Sequence, residues 1–262
     1  MKEILGLPPV KKTLQKSASF LEYIALLAVV LVIWALVSAS GKVSPVVMPP
    51  PKTILDTFVS LLRDGTLLKH VGISIARVLH GYCLAAASGL VLGTALGLSP
   101  RLNRMTDLII QVVKPIPPIA WIPLAIVWFG IGEESKTFLI FLGGFFNILI
   151  NVIDGIRQTD EKLVEVSRSF ETPQWKFVSQ LIIPSALPGI FTGLRTGLST
   201  CWMCVIAAEL VASNTGVGFM IDNARQFGQA NKVIVGMIAI GITGKVMDVM
   251  IRAAEKRVMR WR

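Results

Sequence analysis

Apolar residues run through this chain in long blocks, with polar residues gathered between them. Residues 23–41, 81–100, 115–132 and 137–153 carry no charge. Each block approaches the ~20 residues that a helix needs to cross a hydrocarbon core about 30 Å thick. Two further blocks are interrupted by charge. Residues 187–211 hold Arg195 and Glu209, 14 positions apart. That is about 21 Å along a helix at ~1.5 Å per residue, so each reaches an opposite face of a bilayer by snorkelling. Lys232 and Lys245 bracket the last block, at 233–249. The pattern predicts an all-α membrane protein with six transmembrane helices.

The polar stretch 154–186 is more than a connection. Thr159 is suited to cap a helix, with Asp160 and Glu161 in the first turn where the helix dipole favours acids. Leu163, Val166 and Phe170 follow at i, i+3, i+7, an apolar stripe on one helix face. Thr172-Pro173 offers a second cap and first-turn proline. Trp175, Val178, Leu181 and Ile182 then face one way, and Ile183-Pro184 ends that helix ahead of the fifth span. A loop with its own amphipathic helix either folds back on its bundle or docks on a partner. The pattern alone leaves both open.

Residues 1–19 read as a polar N-terminal arm. Met48-Pro49-Pro50-Pro51 is an extended approach, and Pro51 suits a first helical turn. Ile54, Leu55, Phe58, Val59, Leu61 and Leu62 then predict a short amphipathic helix that Gly65 closes. Gly89, Gly93 and Gly97 repeat every four residues, a spacing that permits close helix contact in lipid. Lys114-Pro115-Ile116-Pro117-Pro118 must bend its span. Such a break is tolerated where it is buried in protein or lines a cavity, so a pathway-lining kink and a structural bend both fit.

Composition agrees with a membrane protein: 53% of the 262 residues are hydrophobic and 16% charged, with mean hydropathy +0.67. Soluble domains run near a quarter charged. The net charge of +10 does not mark a nucleic-acid binder, because the cations are segregated. Lys2, Lys11, Lys12 and Lys16 precede span one, Arg101 and Arg104 follow span two, and Arg252, Lys256, Arg257, Arg260 and Arg262 follow span six. A six-span path puts all three clusters on one side, as the positive-inside rule requires. Both termini and the 154–186 loop are then expected in the cytoplasm. The first block is longer than the ~7–15 residues of a signal-peptide core and reads as a retained span.

Cys83, Cys201 and Cys204 lie in apolar sequence. The Cys201–Cys204 spacing lacks the second ligand pair of a zinc site and reads as packing by small hydrophobes. Gly241-Ile-Thr-Gly244-Lys245 lacks phosphate-loop spacing, and there is no HExxH. No metal or cofactor is expected, and energy must come from another subunit or an ion gradient. Glu209 is an intramembrane acid, hence a candidate pathway residue or one half of a structural ion pair. Arg195 is expected to snorkel to the inner headgroups.

At 165–184 the chain resembles the membrane subunits of binding-protein-dependent ABC importers. Glu165-Val166-Ser167 stands for their EAA, Leu181 for the downstream hydrophobic and Ile183-Pro184 for Leu-Pro, while Glu171 occupies the position of the signature glycine. The blocks VMPPPKTI (47–54), KPIPPIAWIPLAIVWFGIGEESK (114–136), ALPGIFTGLRTGL (186–198), AAEL (207–210) and GVGFMI (216–221) resemble the nitrate, sulfonate, taurine and bicarbonate branch. The resemblance implies a type I ABC importer (MetI-like) permease fold over 20–262, multi-pass in a bacterial inner membrane. It implies a second copy of the chain, two ATPase subunits that bind the ATP, and a periplasmic or lipid-anchored binding protein. It assigns ATPase coupling to Glu165, Val166, Ser167, Arg168, Phe170, Glu171, Trp175 and Pro184. Pro115, Pro117, Pro118, Trp202 and Glu209 become candidates for the translocation path. The implied cargo is a small anion. A pyrimidine precursor or a riboflavin-like nutrient is the alternative within the family. An ion-coupled secondary transporter is the alternative outside it, although the inverted repeats typical of many such transporters are not visible.

Overall fold

The computed structural model describes residues 25, 26, 28–41 and 43–259. The expected N-terminal arm and the start of the first apolar block lie outside them. Among the described residues every regular element is helical. In chain order they are α1 (Ala28–Ala39), α2 (Pro51–Arg63), α3 (Thr66–Leu98), α4 (Pro100–Val113), a 3-10 turn (Pro118–Trp121) leading into α5 (Ile122–Phe129), α6 (Glu133–Arg157), α7 (Glu161–Ser169), α8 (Gln174–Ala212), α9 (Val217–Gln226) and α10 (Ala230–Val258).

The centre of the bundle is the α3–α6–α8 layer, and small residues make it. A β-carbon on Gly81, Gly89, Gly93 or Gly97 would come within 2.6–2.9 Å of the side chains of Ile140, Ile148, Val152 and Ile156 respectively. On the other side of α6, Gly155 faces Gly189, and the Cys201 and Cys204 sulfurs sit over Gly144 and Gly143. Lipid offers no hydrophobic drive between helices, so close van der Waals contact of this kind holds them. The paired cysteines are packing residues: Cys201 Sγ donates to the Ile140 carbonyl at 3.2 Å.

These contacts also fix direction. Residue numbers rise together along α3 and α6, so the two helices are parallel. They run oppositely along α6 and α8, where Gly144 meets Cys201 and Gly155 meets Gly189. α8 and α10 are antiparallel too, with Trp202 bonded to Ile240 and Arg195 near Glu255. A parallel α3–α6 pair forces the chain between them to return across the bundle. α4, the 3-10 turn and α5 make that return.

The third apolar block is therefore not the continuous helix its hydropathy suggests. Four helices are long and apolar enough to cross a membrane: α3, α6, α8 and α10. The α4–α5 pair, bent by 84°, makes a fifth crossing if taken as one broken span. The break falls on Pro115, Pro117 and Pro118, where missing N–H groups and ring clashes forbid an unbroken helix. α1 is shorter, and its Trp34 packs on the cluster shared by α2, α9 and α10.

Two further expectations need correction. Asp160, not Thr159, caps α7: its carboxylate accepts from the Lys162 amide at 2.9 Å. Thr159 is buried and donates to the Ile156 carbonyl instead. The second loop helix starts at Gln174 with Pro173 as its cap residue, and it does not stop at Ile183-Pro184. It continues through Pro184 and Pro188 to Ala212, so the fifth span and the loop helix are one element. A π turn at Phe177–Ile182, just ahead of Pro184, widens the helix there. Such a turn is a usual accompaniment of a disturbed i→i−4 ladder.

Candidate functional site

Three regions carry chemistry, one at each end of the bundle and one between.

At one end α7 stands off the bundle. It shares that end with Leu98, Arg157 and the C-terminal part of α10. Its apolar stripe is not used by its own chain: Leu163 and Val166 are exposed, Phe170 is 80% exposed, and Trp175 beyond it is 66% exposed. Glu165 and Arg168 flank the stripe and are exposed as well, while Ser167 is half-buried. Lys176 lies over the Trp175 ring, 5.4 Å from its centroid. The loop thus does not fold back on its bundle with this face.

The end of α7 is set by Glu171, the one non-glycine with positive φ (47°) among the described residues. Its amide donates to the Arg168 carbonyl at 2.9 Å, and the Thr172 amide donates to Ser167 at 3.1 Å. This is the paired 5→2 and 6→1 pattern of a Schellman cap, usually built on glycine. The turn that glycine serves in the resembled family is therefore made here with a glutamate.

Between the ends, Pro117 and Pro118 line an apolar cleft of about 220 Å³ with Ile122, Leu139, Thr200 and Met203. Pro115 is exposed at the corner outside it. Asn147 Nδ2 donates to Thr200 Oγ1 at 3.0 Å beside this cleft. Trp202 faces the other way, into a second cavity between α8 and α10.

At the far end Glu209 is 1% exposed and fully engaged. Arg77 Nη1 donates to it at 2.8 Å, Ser74 Oγ lies 2.8 Å from both its oxygens, and the Gly218 amide donates at 3.0 Å. The Val217 amide donates to Ser74 Oγ, and the Gly216 amide donates to His70 Nδ1. The open first turn of α9 is thus closed by side chains of α3 and α8. Arg77 uses its remaining donors on Glu133, Thr215 Oγ1 and the Thr215 carbonyl. A β-carbon on Gly216 would collide with the Glu209 carboxylate. In the sequence Arg77 stands just ahead of the uncharged 81–100 block and Glu209 close to the end of the 187–211 block. Two opposite charges at one depth are the signal that could have paired them; Ser74, His70 and Thr215 gave no such signal.

Comparison with known proteins agrees with this architecture. Residues 88–260 match the family model described as binding-protein-dependent transport system inner membrane component. The chain is 41% identical over 252 residues to a putative aliphatic sulfonates transport permease of Bacillus subtilis, covering 96% of this chain and 91% of that protein. It is 34% identical to the taurine transport system permease of Escherichia coli, covering 91% and 88%. It is 32% identical to the bicarbonate transport system permease of Synechococcus elongatus, covering 95% and 93%. An inward-facing structure of the MetNI methionine ABC transporter matches with TM-score 0.60 at 21% identity, over 74% of this chain and 94% of that one. The chain belongs to the binding-protein-dependent transport system inner membrane components, the permease subunits of ABC importers, which are not themselves the ATPases.

Proposed function

We propose that this permease forms the translocation path for a small anion of the aliphatic sulfonate, taurine, nitrate or bicarbonate kind. Two copies make the path. Two ATPase subunits dock beneath them, and a binding protein delivers the anion from above. The chain crosses the membrane six times, with α1 completing the first crossing and both termini in the cytoplasm. The basic residues at the α7 end of the described bundle support that orientation.

The observation that carries the reading is the uncovered ridge of Leu163, Val166, Phe170 and Trp175, rimmed by Glu165 and Arg168. Aromatic anchors with charge at the rim are the make-up of a protein-binding hot spot. Trp175 stands at the start of α8 and Pro184 further along that same helix, so movement at the Trp175 end of the ridge is passed directly into a crossing helix. Closure of the ATPases on ATP would bring the two α7 helices together and rock the bundle between its two packed states, a rigid-body change biased by nucleotide.

The test is affinity purification of the tagged permease from its native membrane, followed by mass spectrometry. Stoichiometric recovery of an ATPase with a phosphate-binding loop is expected. Recovery of the permease alone from membranes still active in uptake would overturn the reading.

A further inference from the structure

Arg77 and Arg195 both lie within crossing helices near carboxylates, and they are treated differently. Arg77 places every donor of its guanidinium on an oxygen of Glu133, Glu209 or Thr215. Arg195 has one carboxylate in range, Glu255 at 4.0 Å, and its guanidinium donates no hydrogen bond among the described residues. An arginine inside a membrane helix is costly unless it faces protein, water or a partner anion. Five donors left over in such a place call for a ligand.

The surroundings say which kind. Arg195 opens on a cavity of about 270 Å³ between α8 and α10, lined also by Ser199, Trp202, Met203, Gly244 and Asp248. Gly241 and Gly244 keep the α10 wall low: a β-carbon on Gly244 would press on the Trp202 ring at 3.2 Å. Asp248 is held by Arg252 at 2.9 Å, with Lys245 at 4.0 Å. Arg195 and Asp248 are the charged residues of the lining; the Asp248 carboxylate is taken by Arg252, which leaves Arg195 with Glu255 alone, at 4.0 Å. The lining combines the planar donor fork of Arg195 with the Trp202 indole and the Met203 thioether, while Ser199 Oγ donates to the Arg195 carbonyl.

We infer that this cavity is an oxyanion site, in which Arg195 grips a tetrahedral or trigonal oxyanion and Trp202 and Met203 take a short apolar tail. The fork geometry suits two oxygens of one head group. A small aliphatic sulfonate has this form, and so does the head and upper chain of an anionic phospholipid. The inference rests on the proposed importer function and assigns it a residue for anion selection.

The probe is radiolabelled 1-butanesulfonate, applied to the permease with its ATPase in nanodiscs of phosphatidylcholine. Saturable binding is expected, weakened at least tenfold by Arg195→Gln and less by Arg195→Lys, which keeps the charge but loses the fork. Retention of this binding pattern in phosphatidylcholine identifies the transported anion as the ligand. If the sulfonate does not bind, but the wild type carries phosphatidylglycerol through purification and Arg195→Gln does not, the oxyanion is a lipid head group. Equal sulfonate affinity and equal lipid retention in wild type and Arg195→Gln would overturn the site. Co-purification of the ATPase with both proteins separates the two failures: if it is retained, the importer reading stands whatever Arg195 does.

Discussion

Arg77 and Glu209, 132 residues apart in sequence, stand 2.8 Å apart at the end of the bundle opposite α7. Glu209 has no exposed side-chain surface, and Arg77 has little. The pair ties α3 to α8, and through Thr215 and Gly218 it also holds the first turn of α9.

Removing one partner should therefore cost more than removing both. Arg77→Gln strands a buried carboxylate, a change worth about 3–5 kcal/mol in known buried pairs. Thermal unfolding of the purified permease should fall by on the order of 10 °C. The double variant Arg77→Met with Glu209→Gln should recover most of that loss. A double variant no better than Arg77→Gln would show that the arginine matters for something other than charge balance.

Glu171 predicts the opposite sign. Its left-handed backbone carries a penalty of roughly 1 kcal/mol that glycine does not pay. Glu171→Gly should slow hydrogen exchange across 161–173 and keep the coupled ATPase rate of the assembled importer. Glu171→Val, with a branched β-carbon in the same geometry, should speed exchange. Loss of coupling in Glu171→Gly would mean that the carboxylate touches the ATPase itself.

The exposed ridge can be altered without touching the fold. Phe170→Asp and Glu165→Lys change side chains that stand exposed at α7, so thermal stability should stay within about 0.5 kcal/mol of wild type. ATPase recovery should drop, for Phe170 by roughly thirtyfold if it is an anchor worth about 2 kcal/mol. Quantitative co-purification measures this directly. Undiminished recovery from both variants would move the docking surface elsewhere.

The legible parts of this molecule were the local ones. The α7 stripe, the four-residue glycine ladder and the proline-led α2 depend on spacings of three to four residues, and one helix turn decides them. The α4–α5 break was half legible: the prolines were visible, but an apolarity window averages over them and returns a straight span. Thr159 and Asp160 are both competent caps, and which one serves depends on where α6 releases the chain. Pro184 looked like a terminus because a proline usually is one. Only the π turn ahead of it, a tertiary accommodation, lets the helix run on. The Arg77–Glu209 pair was least legible, since nothing local brings positions 77 and 209 together. Their meeting follows from the parallel packing of α3 on α6 and the antiparallel return of α8.

That packing makes the last prediction. Gly189 lies against Gly155, where an added β-carbon would stand 2.8 Å from a backbone α-carbon and 3.0 Å from the Asn151 carbonyl. Backbone cannot swing aside, so Gly189→Ala should force α6 and α8 apart at a cost of about 1–3 kcal/mol. Gly72, on α3, has nothing within 4 Å of its added β-carbon. Gly72→Ala should instead gain up to about 1 kcal/mol from helix propensity. The two variants make the same chemical change within long helices. Comparing their unfolding temperatures in one detergent isolates the packing contribution. Equal shifts would show that the α6–α8 seam yields, and that small residues there are not what holds the bundle together.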